Sequence, residues 1–138
     1  DGVDDVLVRF AKCCSPVPGD LITGWITRGR GVTVHRRGCP QAMELDPERR
    51  IDVSWAGSAK IERPVAVRVV TADRPGILST VTSAFQETGL NITEANCRQL
   101  TDGRSVNMFQ FSVNDAAKLR ALMRNIAKIQ GVYDVERV

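Results

Sequence analysis

The sequence predicts an α+β chain in two parts: a small β-rich unit with one short helix, followed by a longer unit in the order βαββαβ. Three observations predict it. Three of the four cysteines and the only histidine fall between Cys13 and Cys39. From Pro64 onward, alternating and helix-spaced apolar patterns follow one another cleanly, with turn residues between them. Ala56-Gly57-Ser58-Ala59 separates the two regions and reads as a linker, so domains are expected at residues 1–58 and 63–138.

In the first part, Val6 to Phe10 reads as a strand leading into the cysteines, and Leu21 to Thr27 as a second strand. Arg28-Gly29-Arg30-Gly31 is a tight connection, and Val32 to His35 a third strand, giving a hairpin with a basic tip. Gly38-Cys39-Pro40 opens a short helix through Met43 and Leu45, because proline is tolerated at a helix start, and Asp46-Pro47 stops it. Ile51, Val53 and Trp55 alternate as a last strand. Trp25 and Trp55 are candidates for this unit's core.

In the second part, Val65, Val67 and Val69 mark a strand. Asp73-Arg74-Pro75-Gly76 turns into a helix whose apolar face is Ile77, Leu78, Val81, Ala84 and Phe85, and Gly89 ends it. Ile92 to Leu100 and Ser105 to Val113 form a hairpin through Thr101-Asp102-Gly103-Arg104, with Cys97 expected in the core. Asn114 or Asp115 caps a second helix that carries Leu119, Leu122, Met123, Ile126 and Ile129 inward, and Gly131 closes it. Val132 to Val138 is the last strand. This order is the ferredoxin-like one, in which two helices cover one face of an antiparallel sheet.

The 138 residues carry a net charge of +3, no run long enough for a membrane span and no signal-peptide pattern. Asp1 opens the chain without methionine, so a piece of a longer protein is expected. To Glu62, nine basic residues face nine acidic ones, and beyond it ten face seven. Arg28, Arg30, Arg36 and Arg37 nevertheless crowd the hairpin beside His35. Guanidinium forks suit phosphate, and a solvated hairpin tip is the alternative. Arg120, Arg124 and Lys128 form a basic stripe on the second helix, which reads as a solvated face.

Cys13, Cys14, His35 and Cys39 supply the Cys3His set that a tetrahedral zinc site takes. Adjacent cysteines on a regular strand point to opposite faces, so both reach one ion only if the backbone turns, and Ser15-Pro16-Val17-Pro18-Gly19 is turn-forming sequence. Two other readings stand beside it: buried apolar cysteines, or a redox pair. A Cys–His nucleophile would be the enzymatic reading. It needs a base against the sulfur and an orienting third group, and no such constellation is evident.

C-C-x-P-x-P-G-D-x-I-x-G-x-x-T-x-G-R-G-V-T-V-H-R-x-x-C, from Cys13 to Cys39, resembles the zinc-finger (RIS or conserved-cysteine) domain of the RelA/SpoT family, bacterial synthetases and hydrolases of the alarmone (p)ppGpp. D-R-P-G-I-L at Asp73 to Leu78, followed by G-L-N-I at Gly89 to Ile92, resembles an ACT domain, which follows the zinc finger in that family. The resemblance implies Cys13, Cys14, His35 and Cys39 as zinc ligands. It implies a cytoplasmic, non-catalytic regulatory region of the stringent response, whose N-terminal catalytic domains act as GTP pyrophosphokinase, (p)ppGpp 3'-pyrophosphohydrolase or both. It also implies docking on the ribosome, with large-subunit rRNA and uncharged tRNA as partners, for which Arg28, Arg30, Arg36 and Arg37 are the candidate contacts. ACT domains pair as homodimers and often hold an amino acid at this turn. Asp73, Gly76, Ile77, Leu78, Asn91 and Ile92 would then line a pocket for a branched-chain amino acid; alternatively these residues only make the turn and cap the helix.

Overall fold

A computed structural model describes residues 7–29, 31–55 and 61–138. The expected linker at Ala56–Ala59, and Val6 and Arg30, lie outside the described residues.

The first sheet is made of β1 (Leu7–Phe10), β2 (Ile22–Ile26), β3 (Gly31–Arg36) and the two-residue β4 (Arg50–Ile51), in the order β1-β3-β2-β4. β2 and β3 form the expected hairpin, but β1 runs parallel to β3. The chain leaving β1 must therefore cross the C-terminal end of β3 to enter β2, and the crossing segment carries Cys13 and Cys14. That topology decides where the cysteines meet His35.

After Cys39 the expected single helix is replaced by two 3-10 turns, Ala42–Glu44 and Pro47–Arg49. The segment is too short to offset the cost of helix nucleation, and Met43 and Leu45 are exposed, so no apolar face draws it onto a core. Asp46 does not simply stop a helix: its Oδ1 accepts the Glu48 N–H at 3.0 Å and caps the second turn. The expected strand Ile51–Trp55 is likewise cut to Arg50–Ile51. Trp55 instead stacks on Phe10, with centroids 5.6 Å apart, and its Nε1 donates to Asp20 O. Trp25 is buried as expected.

The second sheet joins β5 (Arg63–Ala72), β6 (Ile92–Gln99), β7 (Arg104–Val113) and β8 (Val132–Arg137) in the order β6-β7-β5-β8, all antiparallel. Val65, Val67 and Val69 alternate inward from β5, as do Phe109, Phe111 and Val113 from β7. Two helices cover this face, α1 (Ile77–Thr88) with Ile77, Val81, Ala84 and Phe85, and α2 (Ala116–Ala127) with Ala116, Leu119, Leu122 and Ile126. Phe85 centres the layer, its ring 5.1 Å from both Phe109 and Phe111 and edge-on to the latter. Of the expected α1 face, Leu78 is exposed instead. Asp115, not Asn114, caps α2 through the Ala117 N–H, and α2 ends at Ala127 with Lys128 as its C-cap, before Gly131. Cys97 is exposed rather than in the core, because β6 is an edge strand of which only Ile92 reaches the helix-covered core.

The two sheets are packed together. Val17, from the loop after β1, is fully buried in the core of the second sheet, and the Ala116 N–H at the start of α2 donates to Pro18 O at 2.6 Å. Arg63 lies 4.0 Å over the Phe10 ring.

Candidate metal centre

Cys13 and Cys14 leave β1 in a tight turn, His35 is the penultimate residue of β3, and Cys39 follows the Gly38 turn, where φ is +82°. Their ligand atoms all lie within 4.8 Å of one another, and the group could hold a metal ion. Cys13 Sγ is 3.4 Å from Cys39 Sγ, 3.5 Å from His35 Nδ1 and 4.0 Å from Cys14 Sγ, while Cys14 Sγ is 3.8 Å from His35 Nδ1. A tetrahedron of thiolates around zinc has S···S edges of about 3.8 Å, from the usual Zn–S bond of about 2.3 Å, so these separations fit a closed four-ligand site.

The surroundings act differently on each sulfur. Although Cys13 is exposed as a residue, desolvation of its sulfur, aided by the neighbouring Cys39 and Cys14 sulfurs, pushes that thiol up to about 12, and burial also raises Cys14, although the Arg36 N–H donates to its Sγ at 3.3 Å. Burial acts against ionisation at Cys39 too, but the His35 ring and the Ala42 and Gln41 N–H groups outweigh it and bring that thiol down to about 6. Three thiols this close cannot all ionise unaided, and a cation among them would draw the remaining protons off. Cys14, His35 and Cys39 are buried, whereas Cys13 is exposed.

Arg36 and Arg37 sit at the rim of a cavity of about 200 Å³ that the three cysteines also line. The Arg36 guanidinium donates to Cys14 O at 3.5 Å and Arg37 Nε to Ile22 O at 3.3 Å, so both are partly tied to the backbone. Arg28 is exposed at the β2–β3 turn, beside a second cavity of about 170 Å³ to which Arg9 contributes. The basic residues therefore divide into two groups at different places.

A family model for the RelA/SpoT RIS domain matches residues 1–56, and one for the ACT domain matches residues 61–137. A GTP pyrophosphokinase of Myxococcus xanthus is 58% identical over 137 residues, covering 99% of this chain and 18% of that protein. The chain belongs to the RelA/SpoT family. It corresponds to the RIS–ACT regulatory region. A bifunctional (p)ppGpp synthase/hydrolase RelA of Mycobacterium tuberculosis is 42% identical over 139 residues, again 99% of this chain and 19% of the relative. The chain thus spans under a fifth of the length of these relatives. The crystal structure of the ACT domain from the GTP pyrophosphokinase of Chlorobium tepidum aligns with a TM-score of 0.51 at 27% identity, covering 56% of this chain and 100% of that one.

In the ACT part of this RelA/SpoT chain, a cavity of about 290 Å³ lies at the start of α1, lined by Gly76 and Ile77 together with Arg74, Pro75, Thr80, Ile129 and Gln130. Asp73, Leu78, Asn91 and Ile92 are not among its lining. Asp73 accepts from Gln99 Nε2 at 3.1 Å, Leu78 and Asn91 are exposed, and Ile92 packs against the helix-covered core. Gly76, at φ +83°, provides no side-chain cap for the helix.

Sequence reasoning missed two residues beside the metal centre, Asp20 and Arg137, which form a bidentate ion pair between the RIS and ACT parts. Asp20 lies in the P-G-D stretch but carries no signal of its own. Arg137 is a strand-end arginine like many others.

Proposed function

We propose that this region binds one zinc ion through Cys13, Cys14, His35 and Cys39, and that the ion holds the RIS part in the shape that meets RNA. The observation that carries the reading is the convergence of three thiols and one imidazole from three separate places in the chain. Zinc bound there would neutralise the thiolates and contribute folding free energy to a small sheet with few apolar residues. In this reading residues 1–58 are the RIS domain and 63–138 the ACT domain of a cytoplasmic protein. The pair docks on large-subunit rRNA and senses uncharged tRNA on the ribosome, and it controls N-terminal catalytic domains that make or hydrolyse (p)ppGpp. Arg28, Arg30, Arg36 and Arg37 supply the phosphate contacts.

Two measurements test it. Protein purified under reducing conditions is expected to contain about one zinc per chain, lost in Cys39→Ser. Arg36→Ala/Arg37→Ala is expected to weaken ribosome binding and to flatten its log K against log salt slope by about 0.7 for each phosphate that an arginine no longer neutralises. Unchanged binding and slope would remove these two arginines from the interface.

The cavity at the uncapped start of α1 favours a second reading, in which the ACT part senses an amino acid. A branched-chain amino acid would set its carboxylate against the helix N–H groups, with a homodimer formed along the exposed β6 edge. Calorimetric titration of leucine, isoleucine and valine into wild type and Gly76→Val tests it, with sedimentation reporting the dimer. No heat from any of the three rejects branched-chain binding.

A further inference from the structure

Adjacent cysteines reach one point only if the chain reverses directly behind them, and Ser15 makes that reversal. Among the described residues it is the only non-glycine residue with positive φ, at +42°, in a region where a side chain crowds the backbone. Something must hold it there. The Ser15 N–H donates to Ala11 O at 3.0 Å. On the other side, Ser15 O accepts from Arg137 Nη2 at 2.7 Å, across 122 residues of sequence.

The guanidinium that reaches Ser15 is itself aimed. Asp20 takes it at both oxygens, Nη1 to Oδ1 at 3.1 Å and Nη2 to Oδ2 at 2.8 Å, and the two side chains are only 12% and 10% exposed. Asp20 Oδ2 also accepts the Val17 N–H at 2.8 Å, and Asp20 O accepts Trp55 Nε1 at 3.1 Å. Both ends of the Ser15–Asp20 segment are thereby tied to one side chain of β8. Arg137 and Val138 line the same cavity as Cys13, Cys14 and Cys39.

From this geometry we infer that Arg137 of the ACT domain is a positioning residue of the RIS metal centre: by gripping Ser15 O and Asp20 it holds the reversal that turns Cys13 and Cys14 toward His35 and Cys39. The inference rests on the metal reading given above. Outer groups that orient ligands commonly change metal affinity by about 10–100-fold when removed. Linkage makes the effect reciprocal, so a metal that tightens the Cys13–Cys14 turn also tightens β8. The last strand of the ACT sheet then reports whether the centre is loaded, and any contact that moves β8 changes the hold on metal.

The test is zinc affinity of the whole 138-residue chain by competition with a chromophoric chelator, for wild type, Arg137→Ala, Arg137→Ala/Ser15→Gly and Val81→Ala. Val81, on α1, is buried in the ACT core, and its apolar side chain offers no hydrogen bond to Ser15 or Asp20, so it controls for general loss of stability. Arg137→Ala is expected to bind about 10–100-fold more weakly, with part of the loss restored by Ser15→Gly, which adopts the turn without restraint, and Val81→Ala within about threefold of wild type. Equal loss in Val81→Ala, or affinity within about threefold of wild type in a folded Arg137→Ala, overturns the assignment. Should Arg137→Ala not fold, hydrogen exchange on wild type decides: zinc must slow exchange across 132–138, and unchanged exchange there overturns it. A wild-type chain that binds no zinc rejects the metal reading itself, and this inference with it.

Discussion

Cys13 Sγ lies 3.4 Å from Cys39 Sγ although 26 residues separate the two in the chain. The parallel pairing of β1 with β3 brings them together, since it carries the loop after β1 over the end of β3, where His35 and the turn to Cys39 begin. The closeness has a price in protons. With Cys13 up at about 12, Cys14 raised and Cys39 down at about 6, only one of the three thiols is ionised near neutral pH.

Zinc binding at pH 7 is therefore expected to release about two protons from the three coupled thiols. Calorimetry in two buffers of different ionisation enthalpy counts them. Affinity should fall as pH falls, with a further proton competing once pH drops below about 6, where Cys39 takes one up. Release of no protons would mean that the thiols are not the ligands.

Asp20 links stability to acid. Burial opposes its charge, yet the Arg137 guanidinium and the Val17 N–H hold its carboxyl below the usual carboxylate range. A carboxyl whose folded pKa is depressed contributes stability above its unfolded value, about 3.9, and loses that contribution as pH falls through the folded value. Wild type is thus expected to lose stability below about pH 4. Asp20→Asn should cost about 3 kcal/mol at pH 7, as removal of one partner from a buried pair does, and the gap between the two proteins should narrow in acid. Urea denaturation between pH 3 and 7 measures both curves.

Val17→Ala is expected to destabilise the ACT part, although residue 17 belongs to the metal loop. Its side chain is fully buried in the core that Val65, Val113 and Ala116 share. Loss of two buried carbons, with partial collapse of the space, costs about 2 kcal/mol. A fall in the thermal midpoint with a parallel change in near-ultraviolet circular dichroism is the expected result. An unchanged midpoint would show that Val17 adds nothing to the ACT core.

Gly24→Ala should cost about 1–3 kcal/mol by overpacking. A Cβ there would come within 2.7 Å of Val53 Cγ1, 3.0 Å of Val32 Cγ1 and 3.1 Å of Ile51 Cγ1. Denaturant midpoints compare it with Gly29→Ala, which meets no neighbour and tests only the left-handed backbone at φ +86°.

The ACT elements were legible because each depends on local spacing. The alternation of Val65, Val67 and Val69, the helical spacing of Val81, Ala84 and Phe85, and Gly89 at the C-cap need no distant contact to be recognised. The short elements of the RIS part were less legible. Residues 39–51 form two turns and a two-residue strand, because Met43 and Leu45 bury too little to stabilise anything longer. Cys97 departs from its expected place for a related reason: a strand pattern does not say which strands stand at the edge of the sheet.

The α+β pattern of the ACT part and the identity of a Cys3His donor set can be read from the residues alone, because periodicity and ligand chemistry are properties of neighbouring residues and residue types. Folding alone reveals that β1 runs parallel to β3, that Val17 of the metal loop packs in the other sheet's core, and that Arg137 meets Asp20 across 117 residues. Such contacts leave no spacing to read. They form where two packed sheets bring distant side chains within bonding distance, and they couple the metal loop to the last strand of the chain.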